Sequence, residues 1–344
     1  LPTIPADELK ALARSIYVGI GASAHEAETV ADLLVSSNLA GHDSHGVIRC
    51  AQYATAVENG KIRLGTESVV ERETAATAVM NGNWGFGHVT AVDAMNLAIE
   101  KARTASVGIV TVHRCNHVGR VGAFPPLAAE ANMVGMMTNN GHGGDHALAP
   151  WGGIGRILPA ACYATAFPTD RDFQVAIDLT NAVAAGGKLR VVAALGEQLP
   201  DGWQVDADGN PSNDPVDYLE RGGALVPFGG PVAHKGSALG IALDILSGAL
   251  SPAGCTEESP PEIGNALFVQ AIDIEAFQPI DAFKKEVGKF IDYIKSTRKA
   301  PGVEEIFLPG ERSHRTREER LANGIPLADA TWDILQALKS EHCG

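Results

Sequence analysis

Gly85-Phe86-Gly87-His88-Val89-Thr90 is the chain's nearest approach to Gly-x-Gly-x-x-Gly, the pattern that opens a doubly wound dinucleotide-binding sheet. The third glycine is missing, and no acidic residue follows at the expected distance. The segment reads instead as a turn before a helix. Around it, residues 67–71 and 76–81 are strand-like, 88–103 helical, 107–112 a buried strand, 119–131 helical and 134–138 a strand. This is α/β or mixed α+β alternation without a Rossmann fingerprint.

Upstream, residues 6–60 read as three helices. Leu9, Leu12, Ile16 and Ile20 recur at helical spacing, and Ser23 with Glu26 forms a capping-box pattern ahead of Val30, Leu33 and Leu34. The third helix carries Val47, Tyr53 and Val57 and ends at Gly60. That puts Ser44 and His45 at its N-terminus, where free N–H groups favour an anion. Downstream, 139–230 is rich in Gly, Pro and Asp, with short strands at 163–167 and 175–179. A long apolar helix is expected from His234 to Leu250, a strand over 267–274 and an amphipathic helix over 279–298. A charged tail ends in a short helix near Trp332. Three regions are expected: a helical 1–65 packed with 300–344, an α/β region of 66–120 plus 265–299, and a third region of 121–264.

The chain has 344 residues, 45% of them hydrophobic and 20% charged, enough for a sizeable globular core. A formal charge of −14 argues against nucleic acid and anionic membranes as partners, but a local Arg/His pocket can still hold a small anion. No apolar run is long enough to span a bilayer. Leu1-Pro2-Thr3-Ile4-Pro5 does not read as a secretory signal. Cys50, Cys115, Cys162, Cys255 and Cys343 are scattered, with no Cys-x-x-Cys, and read as reduced thiols in a cytoplasmic protein.

Two stretches carry chemistry. Gly41-His42-Asp43-Ser44-His45-Gly46-Val47-Ile48-Arg49 packs imidazoles, a hydroxyl, a carboxylate and a guanidinium together. Asn116-His117-Val118-Gly119-Arg120 follows a strand. Arginine matches a carboxylate with a planar fork of donors, and histidine exchanges a proton near neutral pH. Two separated clusters point to one site built from two parts of the chain. His113 and His117, and His142 and His146, are each four apart and would allow a metal-dependent hydrolase or lyase. The first pair spans a strand–helix turn and the second lies in a glycine-rich loop, so no metal is expected. Asp206-Ala207-Asp208-Gly209 lacks the ligands of a calcium loop and reads as a turn.

Four motifs then occur in order. They are 39–46, His117-Val118-Gly119-Arg120-Val121-Gly122, His234-Lys235-Gly236 leading to Ile245-Leu246-Ser247-Gly248, and Leu308-Pro309-Gly310-Glu311. Together they resemble the type-2 lactate/malate dehydrogenase family, in its hydroxycarboxylate dehydrogenase-like branch. Other members of that family act on ureidoglycolate, sulfolactate, diketogulonate and cyclic imino acids. The resemblance implies a homodimer with a non-Rossmann NAD(P)-binding fold, the cofactor being NAD or NADP, with NAD favoured. It implies His117 as acid/base, supported by Asp145, with Ser44, His45 and Arg49 in the substrate site. It implies 121–264 as the cofactor-binding region and places the cofactor against His45, Gly119, Arg120, Val121, Ile177, Asp178, Leu179, Thr180, His234, Lys235, Asn265, Gly310, Glu311, Arg312 and Ser313. The chain departs from the family's usual pattern at Pro159-Ala160-Ala161-Cys162, at Thr180-Asn181-Ala182 and at Ser237.

The implied reaction interconverts a small 2-hydroxy acid and its 2-oxo acid. His117 moves the hydroxyl proton, Arg49 clamps the carboxylate and the nicotinamide carries the hydride. Reduction of a cyclic imino acid at the same site is the alternative.

Overall fold

A computed structural model of the chain describes residues 1–144, 146–260 and 262–343. Three helices come first: α1 (Ala6–Gly19), α2 (Ala24–Leu39) and α3 (Cys50–Glu58). The capping box is complete. Ser23 Oγ accepts the Glu26 N–H at 3.2 Å, and Glu26 Oε2 accepts the Ser23 N–H at 2.8 Å. The third helix starts later than expected, after two 3-10 turns, Asp43–His45 and Val47–Arg49. Ser44 and His45 therefore lie in a turn, and α3 does not offer them a helix N-terminus. The cause is local: Asn38 accepts the Val47 N–H at 2.9 Å and donates to Asp43 at 2.7 Å, pinning the turn to α2. A Cβ on the intervening Gly46 would fall 2.2 Å from Asn38 Oδ1.

The main sheet holds β1 (Val69–Glu73), β2 (Thr77–Asn81), β3 (Val107–Cys115), β4 (Met133–Asn140), β5 (Cys162–Phe167), β6 (Val175–Thr180) and β7 (Asn265–Asp273). Their spatial order is β1-β2-β3-β7-β4-β5-β6. Only β2 and β3 run parallel, joined by α4 (Gly87–Ala105); the other pairs are antiparallel. The result is a mixed sheet, not a doubly wound one. β7, the last strand in sequence, lies at its centre. Residues 265–269 are all buried, which fits an apolar run covered on both faces. The edge strand β1 is exposed throughout and carries Glu71, Arg72 and Glu73, charges that discourage edge-to-edge pairing.

α4 lies flush on this sheet because its buried face is small: Ala91, Ala94, Ala98 and Ala102 around Met95. A Cβ on Gly108 of β3 would fall 1.9 Å from Ala98 O. The helix expected over 119–131 is shorter than its pattern. A 3-10 turn, Val121–Ala123, precedes α5 (Pro125–Glu130), whose prolines at its start lack N–H donors and define where it begins. Residues 116–120 are left as an irregular loop, and that loop carries His117.

The longer of the remaining helices are α6 (Gly186–Ala194), α7 (His234–Asp244), α8 (Ile280–Lys295), α9 (Glu311–Asn323) and α10 (Asp329–His342), besides one short turn of helix over Pro215–Leu219. The apolar helix expected to reach Leu250 changes after Asp244 into a π-helical turn, Ile245–Ala249. One apolar core joins α1–α3 to Ile325, Leu327 and Leu335, a second lies between α4, α5 and the main sheet, and a third gathers Leu148, Leu189, Leu199 and Leu225 beside a small five-stranded sheet.

Candidate active site

Separate segments meet just beyond the end of β3. His45 comes from the first 3-10 turn, Arg49 from the second, Tyr53 from the first turn of α3, His88 from the first turn of α4, His117 from the loop after β3, and Asn265 opens β7. His117 Nδ1 lies 2.7 Å from the Tyr53 hydroxyl and accepts the Gly119 N–H at 3.3 Å. The rings of His45 and His117 stack at 6.1 Å between centroids, 21° from parallel. Tyr53 meets His88 edge-on at 5.1 Å. Ser44 Oγ pairs with His45 Nδ1 at 3.0 Å. Arg49 donates to Ser44 O at 2.7 Å and to Gln52 Oε1 at 2.6 Å, which uses two of its five N–H groups. His117, Tyr53, Gln52, Lys61 and Asn265 line a cavity of about 220 Å³.

The loop holding His117 is tied down on both sides of the ring. Asn116 Nδ2 reaches Lys61 O, Trp84 O and Gly85 O at 2.8–3.0 Å. A Cβ on Gly87 would sit 2.1 Å from Asn116 O. The glycines that resemble a phosphate fingerprint thus have a packing role: they let α4 start directly under this loop. Gly119 has φ +76°, and a Cβ there would fall 2.6 Å from His88 Nε2.

Burial lowers the proton affinity of the three imidazoles. Burial, helped by His88, Arg49 and His45, brings His117 down to about 3. Burial and Arg49 bring His45 to about 4, and burial brings His88 to about 3. All three are neutral at pH 7, so the ordinary imidazole value near 6.5 does not describe this site. Burial also raises the Tyr53 hydroxyl far above its usual range, so it stays protonated and can donate to or accept from Nδ1. In the unfolded chain each imidazole binds a proton near pH 6.5. Folding stability is therefore full above about 6.5 and falls as the pH drops toward the folded values, by up to about 1.4 kcal/mol per pH unit per group. Thermal unfolding is expected to shift sharply downward between pH 6.5 and 4, and a midpoint constant across that window counts against three neutral imidazoles.

A second cavity, about 500 Å³, lies between α2, the loop after His117, β6 and the start of α9. Arg120, Asp178, Gly310 and Ser313 line it together with His42 and Arg317. Arg120 Nε is buried there without a hydrogen-bond partner. A Cβ on Gly122 would fall 2.2 Å from Asp178 Oδ2, and Gly310, at φ +92°, approaches Gln174 O so closely that a Cβ would sit 2.5 Å away. An orphaned guanidinium N–H and glycine-lined walls suit a phosphate-bearing cofactor. Gly119 and Val121 flank Arg120, and Ile177, Leu179 and Thr180 flank Asp178 on β6.

Other expected site residues stand apart. The Glu311 carboxylate is buried against Lys295 at 2.5 Å and Arg315 at 2.9 Å. Arg312 lies over the Phe307 ring, and His234 meets Trp151 at 6.0 Å, with Lys235 exposed beside it. Asn265 lines the smaller cavity, next to His117 rather than Arg120. Asp145 lies outside the described residues. The four histidines of the metal reading are not brought together. His113 pairs with Glu71 at 2.9 Å, His142 accepts the Arg114 N–H at 3.1 Å, His146 reaches Glu257 O at 2.8 Å and His117 holds Tyr53. Among the described residues, the one group of three converging metal-type ligands is Glu58, Glu341 and His342, which contains none of them. Asp206 accepts the N–H groups of Asp208 and Asn210 at 2.9 Å, closing the expected turn.

Tyr53 and His88 are not marked as site residues by the sequence: Tyr53 fits an apolar helix position and His88 a turn. Their signal is spacing, since Tyr53 stands one helical turn after Arg49 and so shares its face.

The sequence of the Malate/L-lactate dehydrogenase family matches residues 4–336. The malate dehydrogenase of Pyrococcus abyssi is 36% identical over 97% of this chain and 93% of its own length. The solved structure of malate dehydrogenase from Pyrococcus horikoshii OT3 superposes with a TM-score of 0.90 at 33% identity, covering 99% of this chain and 95% of that one. The delta1-piperideine-2-carboxylate reductase from Pseudomonas syringae pvar. tomato superposes at 0.84 with 28% identity, covering 98% and 100%. With the mixed sheet and the His45–Arg49–His117 cluster in place, a match of this extent makes the chain a member of the malate/L-lactate dehydrogenase family, an oxidoreductase.

Proposed function

We propose that this chain interconverts a small 2-hydroxy carboxylic acid and its 2-oxo acid, using NAD as cofactor. The observation that carries the reading is His117, its Nδ1 held by Tyr53 and its ring stacked on His45 beside a cavity. When bound, the nicotinamide supplies the hydride acceptor or donor. The chain's own part is to hold the acid and move one proton. His117, neutral and half-buried, takes the hydroxyl proton at Nε2 during oxidation in the tautomer whose Nδ1–H donates to the Tyr53 hydroxyl instead of accepting the Gly119 N–H. In reduction the same nitrogen returns it to the substrate oxygen. Arg49 offers its unused N–H groups to the carboxylate, and Ser44 and His45 stand beside it. Asp145 remains the proposed support for His117.

Arg120, Asp178, Gly310 and Ser313 would hold the cofactor in the larger cavity. Asp32, Glu130 and Asp172 also line that cavity. These carboxylates can accept a free ribose hydroxyl, which favours NAD, while Arg317 and His314 on the same wall are the groups a 2′-phosphate would need. His234, Lys235, Asn265, Glu311 and Arg312 remain proposed contacts by resemblance alone.

The test is a panel of 2-hydroxy and 2-oxo acids with both cofactors, followed by nicotinamide absorbance. Turnover of a hydroxy acid with NAD is expected, and an inert panel removes the reading. The likeness to a piperideine carboxylate reductase supports a second reading, reduction of a cyclic imino acid. Turnover of such imines but not of oxo acids would select it. A homodimer is also proposed. Ile241, Ile245 and Leu250, on and just after α7, are exposed apolar side chains that a second copy could cover. Light scattering is expected to give twice the mass of one chain, and a monomer at micromolar concentration contradicts this.

A further inference from the structure

We propose that Asp244, which lines neither cavity, is a positioning residue for His117, acting through Asn140 and Asn265. This rests on the acid–base reading of His117. Asp244 is the last residue of α7 and is only 6% exposed. The helix widens into a π turn immediately after it, a local irregularity often found near functional sites. Asp244 Oδ1 accepts from Asn140 Nδ2 at 2.9 Å and from the Thr256 hydroxyl at 3.1 Å, and Oδ2 accepts the Thr256 N–H at 3.1 Å.

Asn140 ends β4, and its side-chain amide is bonded through both its nitrogen and its oxygen. Its Nδ2 also donates to Gly254 O at 3.2 Å, and its Oδ1 accepts the His142 N–H at 2.9 Å. Its carbonyl accepts from Asn265 Nδ2 at 3.0 Å. Asn265 Oδ1 in turn accepts the N–H of Val118, the residue after His117, at 3.1 Å. The line from Asp244 to the histidine's own backbone is therefore continuous and buried. Its packing leaves little slack: a Cβ on Gly248, inside the π turn, would fall 2.6 Å from Asn140 Nδ2 and 2.2 Å from Gly254 O. Ser247 of the same turn pairs with Thr138 of β4 at 2.7 Å.

The loop 116–120 has no ladder of its own, so the Val118 N–H bond on one side of His117 and the Asn116 bonds on the other fix how His117 leaves β3. A side-chain amide whose two N–H groups and whose oxygen each have a partner has one preferred orientation. Asp244 sets that of Asn140, because a carboxylate can only accept from Nδ2. An amide at 244 can turn an NH₂ toward the Asn140 NH₂, and Asn140 then loses its reference. Small displacements of a proton-transfer group cost large factors in rate.

The test uses the whole protein, with NADH titrated against protein fluorescence to count binding-competent sites. Asp244→Asn is expected to lower kcat per NADH site roughly 10- to 100-fold while KM for the cofactor stays within about twofold. The exchange Asp244→Asn with Asn140→Asp restores an acceptor opposite a donor, and is expected to recover most of the loss relative to either single variant. A merely structural role predicts fewer NADH-binding sites with parental kcat per site, and that result overturns the proposal. If Asp244→Asn does not fold, the exchange carries the test: kcat per site no better than Asn140→Asp alone overturns it. His117→Ala runs alongside. If that variant turns over normally, the acid–base reading fails and the positioning role falls with it. If it is inactive while Asp244→Asn keeps parental kcat per site, only the positioning role fails.

Discussion

Replacing His117 by alanine is expected to lower kcat roughly 10²–10⁴-fold, the span usual for loss of a general acid–base group. Cofactor affinity should change little, because the ring lies in the smaller cavity with Tyr53 and not among the walls around Arg120. The pH profile adds a second readout. With the free-enzyme value pushed down to about 3, the neutral base form is already present at pH 5. Oxidation kcat/KM, which reports free-enzyme ionisations, should therefore show no inflection near 6.5 from this residue. Since neutral imidazole is the active form in oxidation, any fall on its account should come only as the pH approaches that low value. A variant that keeps both its rate and its profile would move the proton to another group, with His45, stacked 6.1 Å away, the next candidate.

Much of the frame behind this prediction is legible in the chain. The capping box at Ser23 and Glu26, the alanine-rich α4 and the apolar run of β7 each carry a local signal strong enough to place an element. The missing third glycine in 85–90 and the missing acidic residue downstream point away from a Rossmann sheet, in agreement with the mixed sheet observed. The order of strands is not legible: β7 enters between β3 and β4 from more than a hundred residues away, and no periodicity encodes that insertion. α9 is hidden because Glu311–Asn323 has no apolar stripe. It is anchored by ions instead, with Arg320 donating to Asp43 at 2.7 and 3.0 Å. That contact also explains Asp43, whose place in the motif suggests chemistry but whose carboxylate fixes the turn that presents His45. Local pattern marks which residues are chemical. Which of them meet depends on long-range packing, and so Tyr53 and His88 become visible only in three dimensions.

Arg49→Lys is expected to cost about 2–4 kcal/mol in kcat/KM, far more than a change preserving charge would ordinarily suggest. Two features of the site lead there. The guanidinium is held from one side, with Nε on Ser44 O and Nη1 on Gln52 Oε1, so its plane is set before any ligand arrives. Its remaining N–H groups can then meet a carboxylate in a fixed geometry. Lysine has one rotating ammonium, which can serve the Ser44 carbonyl or the incoming carboxylate but cannot reproduce the fork. The loss should fall on both KM and kcat, because a carboxylate held less firmly also leaves the hydroxyl carbon less well aligned with His117. Esterifying the substrate should remove the advantage of the arginine. The parent and Arg49→Lys enzymes are then expected to act on a hydroxy ester at similar low rates. Near-normal kcat/KM for the free acid in Arg49→Lys would take Arg49 out of the substrate site and leave Lys61, which lines the His117 cavity, as the cation to examine for that role.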